Sequence, residues 1–574
     1  MNASPKHGAR AASHGSLSQR ASAAAILPLA MCAACSTCSD DASPDEGRAP
    51  EATPAVWVRA CIGSPEAFWR ELGPTTGIAG TVEDVAAAIS GVPVDQLRGE
   101  VDWRAPLSLV LFQPEDGRLI GGRGNSLAVV LRRPRGAREP SGGEERRDVA
   151  TAGEPLKLLA DGELIVLSRS TSVLGPARDE ARRSCRPEAE RSGSARVEID
   201  PRLLASQAVT SWVSRQGAWL EASAREATAR RGRPTLGDPE TLARMLARRL
   251  EETRARTERS APVRLEITPS AAGLQIEASA ARSPLSDEPG SAPARPAPLA
   301  AIPPDAYLVS AWWSNGAHRS DGAHGLFDAW SRVAGDRLGD EERGQLEAVA
   351  TRLAEAREGW LVVALRPALA AGPLVALAVV ETRSPDALID AFIESAGLLD
   401  QGYPRSALDH LGARVDLVEQ RREASEGDLR FRITAPDGVS GERGDLLRLV
   451  LAPEPTFAWR VYDQRTVLVA YGPEPGRELD RLAESLRGET ASILAQPVVE
   501  GVVGSVEGAQ WIGYGQPGVL GALLTRGGPM AGGLATGGVS VATRATGNGW
   551  HAAARLGPEQ VRALIDALAS EEER

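Results

Sequence analysis

The chain has 574 residues, 42% hydrophobic and 25% charged, a balance that excludes wholesale disorder and a length that suits two or three cores. Its formal net charge of −11 argues against a nucleic-acid partner, because an acidic body repels phosphate backbones. Lys6 and Lys157 are the only lysines, so arginine carries the positive charge, as coding by a GC-rich genome would give.

Residues 1–20 are polar and basic, with Lys6, Arg10 and Arg20. Ala21–Ala34 follow as an apolar run too short to span a bilayer, and the run ends in Leu29-Ala30-Met31-Cys32-Ala33-Ala34-Cys35. This resembles the lipobox of bacterial lipoproteins, in which a cysteine after small residues is diacylated and becomes the new N-terminus. The resemblance implies a signal peptide over 1–34 and lipidation of Cys35, which has Ala33-Ala34 before it. Cys32 is the alternative, with Leu29 three positions back but bulky Met31 immediately before it. An ordinary cleaved secretory signal stands beside both. The implied anchor is hydrocarbon in a membrane, each buried methylene contributing about 0.8 kcal/mol. The implied location is the cell envelope. Asp40 and Asp41 lie beyond the positions nearest Cys35, which favours the outer membrane, facing the periplasm or the surface. Residues 35–55, rich in Ser, Asp, Pro and Glu, read as a disordered tether. An oxidising compartment permits a Cys61–Cys185 bridge, which the sequence alone leaves open.

The body reads as α+β: two tandem, divergent copies of one α/β unit over 56–282 and 305–574, separated by a proline-rich linker, 283–304. Seven prolines in that linker predict a stiff spacer outside any core. Each copy opens on a short apolar strand, Val56–Val58 and Tyr307–Val309. A strand pair follows, Leu107–Phe112 with Leu127–Leu131, matched by Trp360–Leu365 with Leu374–Val380. Next come a strand and a helix, Glu163–Leu167 into Gly175–Ser184 and Thr466–Tyr471 into Gly476–Arg487. Val197–Ile199 matches Trp511–Gly513, and each copy closes on a hairpin, Val263–Ile267 with Leu274–Ala278 and Val539–Thr543 with Trp550–Ala554. The second copy adds a helix, Pro558–Glu572. Alternation and short turns predict antiparallel sheets with helices on one face. Trp360–Val380 has the hydropathy of a membrane span, but Arg366-Pro367 and Gly372-Pro373 mark a turn, so we read a buried hairpin. The first copy carries a helical-hairpin insertion, about Leu203–Arg231 and Pro239–Arg259, with apolar stripes that serve a core or a partner. Ten arginines against six acids between Arg225 and Arg259 make a solvated face or a contact for anionic headgroups or wall polymer.

Catalytic signatures are sparse. Gly513-Tyr514-Gly515-Gln516-Pro517-Gly518 matches G-x-G-x-x-G, yet no acid occurs between Ala509 and Pro558 to take a ribose, so we read a structural turn and no cofactor. His318 and His324, beside Asp321, have no supporting HExxH or cysteine pair, and no metal is expected. Trp312 and Trp313, on a strand, should face opposite sides, one toward the core. An exposed tryptophan near His318 and His324 makes these four the candidate binding residues, able to stack on sugar or peptide. The expected role is binding or structural rather than enzymatic, with an envelope protein or wall polymer as partner. Two alternatives are a hydrolase centred on His318, His324 or His410, and a small-molecule pocket between the copies. In layout the body resembles uncharacterised exported proteins with duplicated α/β units; that resemblance carries no motif and implies no activity.

Overall fold

The computed structural model describes residues 55–76, 101–113, 127–134, 144–149, 155–185, 193–201, 261–281, 296–314, 339–367, 374–398, 414–434, 454–516 and 538–562, except 271 and 547–548, with short pieces from 80 to 100 and at 136, 218, 222 and 292. The chain is a mixed α+β fold with a large antiparallel sheet, nineteen strands among the described residues.

The first run of elements is β1 (Val56–Ile62), α1 (Pro65–Thr76), β2 (Leu107–Phe112), β3 (Leu127–Arg132), β4 (Glu145–Val149), β5 (Leu156–Asp161) and β6 (Leu164–Ser168). Then come α2 (Leu174–Ser184), β7 (Ala195–Ile199), β8 (Val263–Ser270) and β9 (Gly273–Ala281). The second run has β10 (Leu308–Ser314), α3 (Asp340–Ala356), β11 (Arg357–Arg366), β12 (Val375–Thr382) and α4 (Pro385–Gly397). It continues with β13 (Arg414–Arg422), β14 (Glu426–Thr434), β15 (Thr456–Asp463), β16 (Thr466–Gly472) and α5 (Pro475–Leu486). It closes with α6 (Pro497–Ser505), β17 (Trp511–Gly515), β18 (Val539–Thr546) and β19 (Gly549–Leu556). Helix starts follow local chemistry. Ser64 Oγ accepts from the Ala67 amide before Pro65, and Ser384 Oγ accepts from the Ala387 amide before Pro385.

Pairing is antiparallel throughout, in the spatial order β4-β5-β6-β3-β2-β1-β7-β8-β9-β19-β18-β17-β10-β11-β12-β16-β15-β14-β13. The order is the same read outward from the β9–β19 pair in either direction, save for β13. Trp360–Val380 forms the β11–β12 hairpin, as its turn residues required. No helix among the described residues is long and apolar enough to cross a membrane.

The sequence led us to expect helices on one face; they cover both. In β2, Val110 and Phe112 pack with Ala177 and Ala181 of α2, whereas Leu107 packs on the opposite face with Trp103. In the second run Val362 lies under Leu479 and Leu482 of α5, while Leu361 lies with Leu388 and Ile389 of α4. The reason is strand composition. Continuous apolar runs such as Leu164–Ser168, buried at every position, require cover on both faces.

The proline-rich stretch also departs from a free spacer. Its end, Ala297–Ala301, is a 3-10 turn, and Leu299, Ala301 and Ile302 are buried in the second run's core. Prolines fix the turn, and the apolar residues between them do the packing. Where β9 meets β19, Leu72, Ile267 and Leu274 pack with Leu556 and Val561, and the two strands form a continuous antiparallel ladder. The expected insertion over 203–259 lies outside the described residues apart from positions 218 and 222.

Candidate functional site

Of the residues singled out from sequence, Cys32, Cys35, His318, His324 and His410 lie outside the described residues. Trp312 and Trp313 lie on β10 and split as alternation requires. Trp313 packs against the core, and Trp312 is 40% exposed, opposite Leu361 and Trp511. His551 sits on β19 with its Nε2 4.0 Å from Glu277 of β9. Among the described residues no group of three His, Cys, Asp or Glu side chains is placed to hold a metal.

The first three residues of the glycine motif are strand, and Pro517 and Gly518 lie outside the described residues. Gly513-Tyr514-Gly515 belong to β17, and Tyr514 is buried in the core. The Trp511 indole donates from Nε1 to Ser310 Oγ at 3.0 Å, and its ring passes 2.8 Å from where a Gly513 Cβ would stand. The glycine makes room for an indole. Sequence spacing could not distinguish that from room for a phosphate.

Cys61 of β1 and Cys185, just past α2, are joined in a disulfide with a Cα–Cα distance of 5.5 Å. Both are buried, and the bridge spans 124 residues of chain.

A cleft that no sequence signal marked opens beside this bridge's strand. Its volume is about 480 Å³, and three segments form it. From the first turns of α1 come Glu66, Trp69 and Arg70; from a short turn come Thr81, Val82 and Glu83; from the chain entering β2 come Val101, Asp102, Trp103 and Arg104. Backbone bonds hold the walls together. The Glu66 amide donates to the Trp103 carbonyl at 2.9 Å, and the Asp102 amide donates to the Arg132 carbonyl at the end of β3 at 2.8 Å. The Trp69 indole donates to the Gly80 carbonyl at 3.0 Å, tying α1 to the short turn. That turn is closed by Thr81 and Asp84, whose side chains bond each other's backbone and each other.

The charges divide into two sets. Glu66 takes hydrogen bonds from Arg70 at 2.8 Å and Arg104 at 2.9 Å. The Arg104 bond holds the Glu66 carboxyl below the usual carboxylate range, and burial partly opposes it. One carboxylate thus occupies both arginines. Glu83 and Asp102 have no ion pair among the described residues, although Asp102 Oδ1 accepts from the Arg104 amide at 3.1 Å. Trp103 is 7% exposed, and its indole nitrogen is buried without a hydrogen-bond partner. The lining holds no cysteine, histidine or lysine. It offers donors, acceptors and aromatic surface, which are the means of binding. Compared with known proteins, the chain matches no family model, no curated protein and no solved structure.

Proposed function

We propose that the protein is an exported, lipid-anchored envelope protein with a binding or structural role, its body built from two divergent copies of one α/β unit. The observation that carries the exported reading is the buried Cys61–Cys185 disulfide. Such bridges persist in oxidising compartments and are rare where cytosolic thiols stay reduced. It accords with a leader whose small-residue run ends at Cys35. Anchoring follows from acylation of that cysteine, with residues 36–55 as tether between bilayer and body.

The doubled-unit reading is supported by the matching order of strands outward from β9–β19 and by a helix after β6 and after β16 on the same face of the sheet. Antiparallel pairing of the last strand of each run is the arrangement a two-fold relation between copies produces.

Expression of the full chain in a bacterial host, with membrane fractionation and mass spectrometry of the mature N-terminus, tests the proposal. We expect the protein in the membrane fraction with an acylated Cys35, and release of Cys35→Ala to the soluble fraction. Release by Cys32→Ala instead would move the modification to Cys32. A wild-type protein that is soluble with an unmodified N-terminus would overturn the anchored reading.

A further inference from the structure

We propose that the cleft between α1 and the chain entering β2 binds a neutral saccharide ring, with Trp69 as its aromatic wall. This deepens the binding role proposed above and stands independently of the lipid anchor.

The argument is one of chemical fit. Three carboxylates line the cleft, Glu66, Glu83 and Asp102, and they disfavour an anionic ligand. An apolar ligand would strip water from Glu83 and Asp102 without replacing its hydrogen bonds. An organic cation would suit those two acids, but it would leave the Arg104 guanidinium, 82% exposed on the rim, opposed to it. A polyhydroxylated ring meets every requirement. Its hydroxyls donate to Glu83 and to the free oxygen of Asp102, its oxygens accept from Arg104, and its C–H face lies on an aromatic side chain. The volume of about 480 Å³ falls within the range of roughly 300–1,000 Å³ usual for small-molecule sites.

The walls are also built to persist without ligand. Glu66 clamps both arginines, the Trp103 carbonyl is fixed by the Glu66 amide, and Trp69 is held through Gly80. Groups held in place before binding lose little freedom on binding, which favours a weakly binding neutral ligand.

The test is a neutral-glycan array probed with the purified full chain, followed by tryptophan-fluorescence titration of the hits. Spermidine and inorganic phosphate serve as controls. We expect saturable binding of one or more neutral saccharides and none of the two controls. Trp69→Ala should raise the dissociation constant by about tenfold or more through loss of the aromatic wall. Trp69 also packs near the β9–β19 junction, so Glu83→Gln, which leaves that packing alone, provides the second variant and should also weaken binding. An array without a saturable hit, tighter binding of spermidine or phosphate, or a titration indifferent to both variants would overturn the proposal. The anchor experiment is unaffected by any of these outcomes.

Discussion

Gly273 and Gly549 hold matching places on either side of the junction, the first residue of β9 and the first of β19. A Cβ on Gly273 would run into the Leu556 carbonyl oxygen, and one on Gly549 would run into that of Ala280. Both have positive φ, 116° and 154°. Each strand therefore begins with a residue that lets its partner's backbone come close, and the ladder from Leu274–Leu556 to Ala281–Gly549 closes at both ends. We predict that Gly273→Ala and Gly549→Ala each cost about 1–3 kcal/mol in urea unfolding, from strained φ and displaced backbone. Because the two share one ladder, the double variant should depart from additivity. Two variants indistinguishable from wild type would show that the junction is loose.

The disulfide gives a second prediction. It ties β1 to the end of α2 across 124 residues, a long loop for the unfolded chain to keep closed. The Cys61→Ser/Cys185→Ser double variant should lose about 2–5 kcal/mol. Dithiothreitol should lower the stability of the wild type toward that of the variant and leave the variant unchanged. A wild type insensitive to reduction, with two titratable thiols at those positions, would contradict the bridge.

Much of this architecture was legible because burial leaves a mark in sequence. Leu107–Phe112 is apolar at every position but Ser108, a run of strand length, and the structure buries every second residue, Ser108 among them. Trp312 and Trp313 part to opposite faces, as strand neighbours do. What was not legible lacks such a mark. The terminal strands β4 (Glu-Arg-Arg-Asp-Val) and β13 (Arg-Val-Asp-Leu-Val-Glu-Gln-Arg-Arg) are charged, as edge strands are when they must not recruit another chain, and charge hides them as strands. The cleft was hidden differently. Glu66 and Arg104 lie 38 residues apart, and only the fold brings them to 2.9 Å. No local pattern records that encounter.

Arg366, which interrupts the most apolar stretch of the chain, becomes the subject of a third prediction. It is 1% exposed, and it donates through Nη1 to Glu478 Oε2 and through Nη2 to Asp305 Oδ2, both at 2.6 Å. The triad joins the start of the second run to β11 and α5. Glu478→Ala leaves a buried guanidinium short of its best partner and should cost about 3–5 kcal/mol. Replacing both, as Arg366→Met with Glu478→Leu, should recover most of that loss, since apolar side chains of similar size avoid desolvating charge. A double variant no more stable than Glu478→Ala would show that the triad contributes more than charge balance.

Glu66 and Glu381 should shape the pH dependence in opposite senses. Arg104 lowers the Glu66 pKa, so the folded state holds its proton less readily than the unfolded chain. Its contribution is present above the unfolded pKa and is lost as pH falls through the lower, folded one. Arg104→Gln should therefore flatten part of the acid limb. Glu381 is the reverse case. Burial raises its pKa, only partly offset by the Trp360 amide donating to its Oε2 at 2.7 Å. The folded state then holds that proton more readily. This contribution is complete below the unfolded pKa and declines as pH rises through the higher, folded value. Glu381→Gln keeps an oxygen for the Trp360 amide but cannot ionise. Urea titrations from about pH 4 to pH 7 should show the wild type losing ground to Glu381→Gln as pH rises through this window. Parallel curves would mean that the carboxylate ionises as freely in the fold as in the open chain, and that burial against Trp360 does not govern it.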